Sequence, residues 1–239
     1  MSLRGRRALV TGGSRGIGRA IALALAGDGV DVGVMSRSHA ASEEVAELCR
    51  AQGVKSVALE ADVTDSAALE RAVMGGTREL GGVDIVVTSA GVAWLGPTQR
   101  AQEDTWSTMI DVNLVGTMEM VRLTLPQVRQ SAAGAYIFIG SISSKITYAG
   151  GAGYCASKHA LLGFAGALYD ELRVNRIKVS TVCPGTVDTD MTRNSGYSVD
   201  SAALLTADDV ASAAMFCARS PARSCPTELV IRCHHPSIV

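Results

Sequence analysis

The chain carries no surplus of charge of either sign: Lys plus Arg number 22 and Asp plus Glu 23 in 239 residues. A nucleic-acid binder or a protein drawn to anionic lipid relies on a positive field, so the bulk charge gives no reason to expect either partner. No run approaches the roughly eighteen consecutive apolar residues of a membrane span. Arg4, Arg6 and Arg7 do precede an apolar run, but Ala8-Leu9-Val10 is too short for the hydrophobic region of a secretory signal. C-x-x-C spacing is also missing. The six cysteines (Cys49, Cys155, Cys183, Cys217, Cys225, Cys233) are scattered through apolar segments, which suits reduced packing thiols and a cytoplasmic location. Repeats, low-complexity tracts and linkers are absent, so residues 1–239 are expected to form one domain around a sizeable core. The neighbouring His234 and His235 would point different ways, and no metal site is expected there.

What is present is an alternation of strand and helix. Arg7 to Thr11 is a β-type run ending in Thr11-Gly12-Gly13-Ser14-Arg15-Gly16-Ile17-Gly18, after which Ile17, Ala20, Ile21, Ala24 and Leu25 recur with helical period. Strand, glycine turn and helix in that order suit a pyrophosphate: glycines admit it to the backbone, and the helix start offers free N–H groups and a positive dipole end. The spacing is Gly-x-x-x-Gly-x-Gly rather than G-x-G-x-x-G, and taken alone it also fits a tight turn. Asp31 to Ser36 reads as a second strand, at whose end a dinucleotide-binding unit reads the adenosine ribose. An acid there would take the 2′-hydroxyl of NAD. The chain instead has Ser36-Arg37-Ser38, with no Asp or Glu before Glu43. With Arg15 in the glycine loop, Arg37 suits a 2′-phosphate, because guanidinium groups grip phosphate oxygens in pairs. NADP(H) is therefore favoured over NAD(H); the plainer alternative is a solvated turn arginine.

Further along, Glu43 to Gln52 and Asp65 to Leu80 read as helices, Ser56 to Glu60 and Val83 to Thr88 as strands, and Asp62-Val63 follows the third strand. Val83 to Thr88 is apolar without alternation, as for a strand covered on both faces. Ser89-Ala90-Gly91 is then a turn of small side chains. Glu103 to Gln130 reads as one helix with Asn113 inside its apolar stripe; such an amide needs partners, and a satisfied core amide is the plain explanation. Ala135 to Gly140 is a strand with Ser141 at its carboxyl end, where ligands bind in open α/β sheets. Tyr154 to Arg173 reads as a helix, and Ile177 to Cys183 as a strand stopped by Pro184-Gly185. Residues 192–205 lack periodicity and read as a short substrate flap. Thr206 to Asp209 caps a helix through Ala218, and Glu228 to Ile231 is a final edge strand. The fold class expected is α/β: a Rossmann-type doubly wound, mainly parallel sheet of seven strands with helices on both faces.

Tyr154 and Lys158 stand four apart, so on a helix they share one face about a turn apart. A free tyrosine, with a pKa near ~10, is a poor proton shuttle at neutral pH, and a fixed cation favours its phenolate. Bringing it to neutrality takes about 4 kcal/mol, which one lysine and one positively charged cofactor ring are suited to supply. The pair alone fits a solvated helix face better, and the case rests on its surroundings.

In their order and spacing these segments resemble the short-chain dehydrogenase/reductase family, from about Arg7 to Ile231. Thr11-Gly12-x-x-x-Gly16-x-Gly18 resembles its cofactor loop, which implies nucleotide contacts at Gly12, Ser14, Arg15, Gly16, Ile17 and Gly18, and beyond it at Ser36 and Arg37. Asp62-Val63 resembles the adenine-binding pair. Pro184-Gly185-Thr186-Val187-Asp188-Thr189 resembles the segment that holds the nicotinamide carboxamide, through the Val187 backbone and the Thr189 hydroxyl. The family's Asn-Asn-Ala-Gly is here Thr88-Ser89-Ala90-Gly91, which loses both amides but keeps the space at Ala90 and Gly91. Asn113, Ser141, Tyr154 and Lys158 match the catalytic tetrad, Ser141 lying thirteen residues before Tyr154. Ser143 and Ser144 stand close enough to leave the identity of that serine open.

The resemblance implies an NADP(H)-dependent oxidoreductase acting on a small-molecule carbonyl or secondary alcohol without a metal. Tyr154 would be the general acid/base, Ser141 would orient the reacting oxygen, Lys158 would lower the Tyr154 pKa and hold the nicotinamide ribose, and Asn113 would anchor a water. Tyr154 and Lys158 thus count among the cofactor contacts too. The family also implies a homotetramer or homodimer on the helices bearing Asn113 and Tyr154; Gly163 and Ala167 fit either such a contact or packing inside one subunit. Trp94, Tyr148, Met191 and Tyr197 are candidates for a substrate pocket. Two other readings compete: a catalytically inactive NADP(H)-binding sensor of the same fold, and a nucleic-acid-binding regulator that has only Arg4, Arg6 and Arg7 in its favour.

Overall fold

The computed structural model of the protein describes residues 2–193 and 203–234; Tyr197, most of the expected flap and His235 lie outside them. In chain order the elements are β1 (Arg7–Thr11), α1 (Gly16–Gly27), β2 (Asp31–Ser36), α2 (His39–Arg50), β3 (Ser56–Glu60), α3 (Ser66–Leu80) and β4 (Ile85–Thr88). There follow α4 (Thr105–Ile110), α5 (Gly116–Val128), β5 (Ala135–Ile139), α6 (Ala152–Leu172), β6 (Lys178–Pro184), α7 (Asp190–Arg193), α8 (Ala207–Arg219) and β7 (Glu228–Ile231).

The seven strands form one sheet in the order β3-β2-β1-β4-β5-β6-β7. Every pairing is parallel, the edge strand β7 included, where the sequence led us to expect a mainly parallel sheet. The reason is that a helix returns the chain to the same end of the sheet before each strand, as parallel pairing requires. From β1 the chain winds outward through β2 to β3, then crosses back to β4 on the other side of β1. That reversal opens a crevice at the carboxyl ends of β1 and β4, where open α/β sheets bind ligands. Thr11 and Thr88 are register partners, so the glycine loop and the Ser89-Ala90-Gly91 turn leave the sheet side by side.

Side-chain alternation along the buried strands supplies two cores. Ile137 and Ile139 of β5 join Val10, Val34, Ile85 and Val182 beneath α1, α2 and α8. Tyr136 and Phe138, facing the other way, join Leu9, Met35, Val86 and Val179 beneath α3, α5 and α6. Arg7 and Asp84 pin the starts of β1 and β4 together, Nε to Oδ2 at 2.8 Å and Nη2 to Oδ1 at 3.0 Å. The expected cap of α8 is present, with Asp209 N–H on Thr206 Oγ1 at 3.1 Å and Thr206 N–H on Asp209 Oδ2 at 2.7 Å.

Among the differences from the sequence reading, three bear on the site. Helix α2 begins at His39 rather than Glu43 because Ser38 caps it, accepting Ala41 N–H at 3.3 Å. Helix α6 begins at Ala152, ahead of Tyr154, so Tyr154 sits inside its first turn. The single helix expected over Glu103 to Gln130 is broken: α4 and α5 are joined by a π-helical turn, Asp111–Val115, that contains Asn113. A π turn widens the backbone locally and is enriched at functional sites.

Candidate active site

The cofactor side is built first by Thr11, whose Oγ1 accepts the N–H groups of Ser89 and Ala90 at 3.2 Å each. This bond pair ties the start of the glycine loop to the turn after β4. Gly12 has φ +64, and a Cβ there would come within 2.8 Å of the Ala90 nitrogen; only glycine takes both that dihedral and that approach. A Cβ on Gly18 would lie 2.2 Å from the Gly12 oxygen, so α1 starts packed on its own loop. Arg15 occupies the N-cap in an extended conformation, and its side chain makes no capping bond. The N–H groups of the first turn are thus not taken up by it, as an anion site requires. Beyond Gly16, the nearest atom to a built Cβ is the Thr189 methyl at 3.5 Å, which marks a slot between this loop and the segment after β6.

At the ribose end, Ser36 is turned inward: its Oγ pairs with Ser42 Oγ at 2.8 Å and donates to the Ser38 carbonyl at 3.0 Å. Arg37 is exposed beyond the strand end. The Thr64 backbone N–H, the Thr64 hydroxyl and the charge of Arg37 together hold the Asp62 carboxyl below its usual range, against the opposing effect of burial. Both Thr64 bonds end on Oδ1, at 2.9 and 2.8 Å, which leaves Oδ2 to a ligand. Val63 packs on Gly116, where a Cβ would stand 2.8 Å from it. A loop with an uncapped helix start, a free guanidinium and a carboxylate oxygen in line along one crevice fit a dinucleotide, whose phosphates would meet the loop and whose adenosine would reach Arg37 and Asp62.

The candidate catalytic residues stand around the end of β5. Ser141 is buried; its hydroxyl neighbours the Tyr154 phenol and acts to lower its pKa, and its Oγ accepts Ser143 N–H at 3.1 Å. The neighbouring serines are engaged elsewhere: Ser143 Oγ pairs with the Tyr148 hydroxyl at 3.0 Å, and Ser144 Oγ accepts Ser141 N–H at 3.3 Å. Of the three serines, Ser141 is therefore the one presented to Tyr154. Lys158 is buried and donates to the Ile139 carbonyl at 2.9 Å, with its Nζ 5.9 Å from the Tyr154 ring centroid. One of its three N–H donors is spent there, and two remain for a ligand. Burial pushes the phenol up to about 12 despite the opposing effect of Ser141, and burial draws the lysine down to about 8. In the protein alone, then, desolvation outweighs the expected effect of Lys158 on Tyr154.

Asn113 is buried and its amide is fully engaged. Its Oδ1 accepts Val92 N–H at 2.8 Å, and its Nδ2 donates to the Val92 carbonyl at 2.9 Å and to Ser157 Oγ at 3.0 Å. Ser157 Oγ in turn donates to the Tyr154 carbonyl at 2.8 Å. The side chain is a tie between the strand-end loop and the first turn of α6. Gly91 completes the cluster, a Cβ on it lying 3.3 Å from Asn113 Oδ1 and 3.9 Å from Lys158 Nζ. The four tetrad positions and Gly91 thus form one group.

Pro184 ends β6, and Gly185 N–H bonds the Ile231 carbonyl at 2.8 Å. Val187 is buried, bridged to Leu205, and its carbonyl accepts the Thr192 hydroxyl at 2.6 Å. On the substrate side, Gly96 N–H bonds the Gly150 carbonyl at 2.8 Å and joins the loops that carry Trp94 and Tyr148. Each ring lies over a glycine, Trp94 over Gly96 and Tyr148 over Gly151. Met191 is exposed on α7. A shallow pocket of ≈ 430 Å³ lies alongside, lined by Thr147, Tyr148, Ala152, Cys155, Ala156 and His159 but by none of the tetrad.

Sequence reasoning placed Thr11 in the loop motif but missed its bonds to Ser89 and Ala90, and it missed Val92, Ser157 and the Ser143–Tyr148 pair. Ser157 left a trace, being a polar residue next to Lys158 on the buried side of α6; the backbone of Val92 left none, since backbone partners are invisible in side-chain patterns.

Comparison with known proteins agrees with this arrangement. A short chain dehydrogenase family model matches residues 6–199. An uncharacterized NAD-dependent oxidoreductase of Mycobacterium tuberculosis is 38% identical over 204 residues, 80% of this chain and 74% of that one. The 3-oxoacyl-[acyl-carrier-protein] reductase of Salmonella typhimurium is 36% identical over 193 residues, 81% of this chain and 78% of the other. The crystal structure of a short chain dehydrogenase from Burkholderia cenocepacia J2315 in complex with NADP superimposes with a TM-score of 0.88 at 33% identity, covering 97% of this chain and 98% of that one. With the crevice, the glycine loop and the hydroxyl pair at the strand ends, these matches establish that the chain is a nucleotide-binding oxidoreductase belonging to the short-chain dehydrogenase/reductase family.

Proposed function

We propose that the protein is an NADP(H)-dependent reductase or alcohol dehydrogenase that interconverts a small carbonyl compound and its secondary alcohol. The observation that carries this reading is the Ser141–Tyr154 hydroxyl pair beside the buried Lys158 at the open end of the sheet. When bound, the nicotinamide supplies or accepts hydride. The chain's own residues do the rest. Ser141, with one lone pair held by Ser143 N–H, directs its hydroxyl toward the substrate oxygen and stabilises charge developing there. Tyr154, protonated at neutral pH with its pKa at about 12, is the acid in reduction and the base in oxidation. Lys158 would hold the nicotinamide ribose, and Asn113 fixes the first turn of α6 against the strand-end loop.

Arg37, with Ser36 and Ser38 beside it, is assigned to the adenosine 2′-phosphate. The NADP held by the Burkholderia relative is in keeping with that choice, while the Mycobacterium relative carries the description NAD-dependent. Residues 192–205 are assigned as the substrate flap of a single domain. Gly163 and Ala167 are exposed on α6, and nothing lies within 4 Å of a Cβ built on Gly163 or Gly166; this favours a helix contact between copies over packing within one subunit. No helix among the described residues is long and apolar enough to cross a membrane.

The test is a fluorescence titration with NADPH and with NADH, followed by a panel of ketones, aldehydes and diketones added to the complex. Saturable NADPH binding and oxidation by a panel member are expected. Tyr154→Phe should lower turnover by about 10² to 10⁴ with NADPH affinity unchanged, and near-normal turnover would refute its role. Binding without oxidation across the panel would favour the sensor reading.

A further inference from the structure

Ser141 and Tyr154, the two hydroxyls on which the proposed reaction depends, stand on different pieces of chain. Ser141 precedes the tight turn Ile142–Ser144, Tyr154 lies in the first turn of α6, and no helix or strand spans Lys145 to Gly151 between them. Their relative placement therefore depends on whatever fastens that turn to the start of the helix. One side chain reaches both. The Tyr148 hydroxyl shares a 3.0 Å hydrogen bond with Ser143 Oγ, and Ser143 in turn gives its N–H to Ser141 Oγ at 3.1 Å. The Tyr148 ring also lies on Gly151, where a built Cβ would come within 2.5 Å of the ring carbon Cε2. Gly151 is the N-cap of α6: its carbonyl accepts Cys155 N–H at 2.8 Å, and its own N–H bonds the Tyr148 carbonyl at 3.1 Å. Tyr148 is 39% exposed and Ser143 only 2%, so the hydroxyl ends on a buried partner although much of its side chain is open.

We infer that Tyr148 is a positioning residue: through Ser143 it braces the turn that carries Ser141 against the N-terminus of α6, and so sets the Ser141 hydroxyl against that of Tyr154. This rests on the function proposed above and deepens it, because the sequence offered Tyr148 only as a candidate for lining a substrate pocket. Ser143 Oγ has no other hydrogen-bond partner among the described residues. Without the Tyr148 hydroxyl it is a buried polar group left unpaired, a state that costs enough to move its surroundings. The turn then shifts until that oxygen meets water or another donor, and the Ser143 amide that holds Ser141 Oγ shifts with it. A reacting group displaced by a fraction of an ångström loses rate rather than binding.

The experiment is steady-state kinetics of wild type, Tyr148→Phe, Ser143→Ala and the double variant, with saturating NADPH and whichever ketone, aldehyde or diketone of the panel above the wild type reduces fastest. Tyr148→Phe keeps the ring on Gly151 and removes only the hydroxyl; Ser143→Ala breaks the same bond from the buried end, where no substrate reaches. Each single variant should lower kcat by about five- to ten-fold, the scale of one hydrogen bond, with KM for the carbonyl little changed. The double variant should be no slower than the worse of the two, because both remove one bond. Either variant tests the bond alone if the other fails to fold.

A raised KM with kcat unchanged in Tyr148→Phe, or an impaired Tyr148→Phe beside a normal Ser143→Ala, would show that the Tyr148 hydroxyl meets the substrate itself and would overturn the inference. Losses that multiply in the double variant would overturn it too, since the two side chains would then act independently. Each of these results leaves the proposed reaction standing. Near-normal turnover in Tyr154→Phe, or a wild type that reduces no member of the panel, would instead remove that reaction and the role of Tyr148 with it.

Discussion

Replacing Lys158 by methionine should make the nucleotide-free protein more stable at pH 7, and the gain should disappear as the pH rises. Burial brings the lysine from its ordinary 10.5 to about 8, so between those values the unfolded chain binds a proton that the folded chain has released. Stability of the wild type therefore climbs with pH across that window. Below it, the folded state carries a buried ammonium at a cost of about 3 kcal/mol, from ~1.36 kcal/mol per pH unit. Methionine fills a similar volume without charge. It leaves the Ile139 carbonyl without its 2.9 Å donor, a loss of about 1 kcal/mol that varies little with pH. The net gain at pH 7 is then about 2 kcal/mol. The informative quantity is the difference between the two proteins' unfolding free energies, measured by urea denaturation from pH 6.5 to 10.5; it should move by about 3 kcal/mol in favour of the wild type. Tyr154, held at about 12, is common to both proteins and cancels. Parallel curves over the whole range would show that burial does not oppose the charge on Lys158.

Asp84→Asn should cost about 1–3 kcal/mol at pH 7 by breaking the two-point bond to Arg7. Burial works to raise the Asp84 pKa, but hydrogen bonds from Arg7 and Ser131 hold it below the usual carboxylate range. The stabilisation is therefore complete above pH ~4 and lost as the pH falls through the lowered value, and acid unfolding of the two proteins should converge. Asn113→Ala should cost about 1–3 kcal/mol because it strands both backbone polar groups of Val92, whereas Ser157→Ala should cost less; equal losses by urea denaturation would contradict the hydrogen-bond assignment. Thr206→Ala should lower stability by about 1 kcal/mol through loss of the α8 cap, read as a reduced urea midpoint with an unchanged slope.

The strands were legible because they are apolar runs that need no partner to be recognised: β2 and β3 end where the sequence placed them. The α8 cap was legible because both halves of its capping box lie within four consecutive residues. What escaped depends on residues brought from elsewhere in the chain. The break at Asn113 reflects its bonds to Val92 and Ser157, and the periodicity of one helix carries no trace of a loop packed against it. The choice among Ser141, Ser143 and Ser144 likewise needed Tyr148, whose hydroxyl occupies Ser143. The early start of α2 was hidden because Ser38, taken as part of a ribose-binding turn, also caps a helix.

Tyr154 and Lys158 show how one spacing serves two opposed demands. Four residues apart on α6, they are close enough to interact, yet the burial that brings them together favours the neutral form of each, the phenol by rising to about 12 and the amine by falling to about 8. A neutral phenol suits a proton donor. A phenolate at this position needs more positive charge than one lysine, 5.9 Å from the ring centroid and bonded to the Ile139 carbonyl, provides. On the function proposed above, a protonated phenol is the form that reduction uses, and oxidation would need the phenolate. Ser141 acts on this balance: it lowers the phenol against the effect of burial, and its Oγ accepts the Ser143 N–H. If Tyr154 is the proton donor proposed above, the tight turn Ile142–Ser144 after β5 would share in that role through the Ser143 N–H held by Ser141 Oγ.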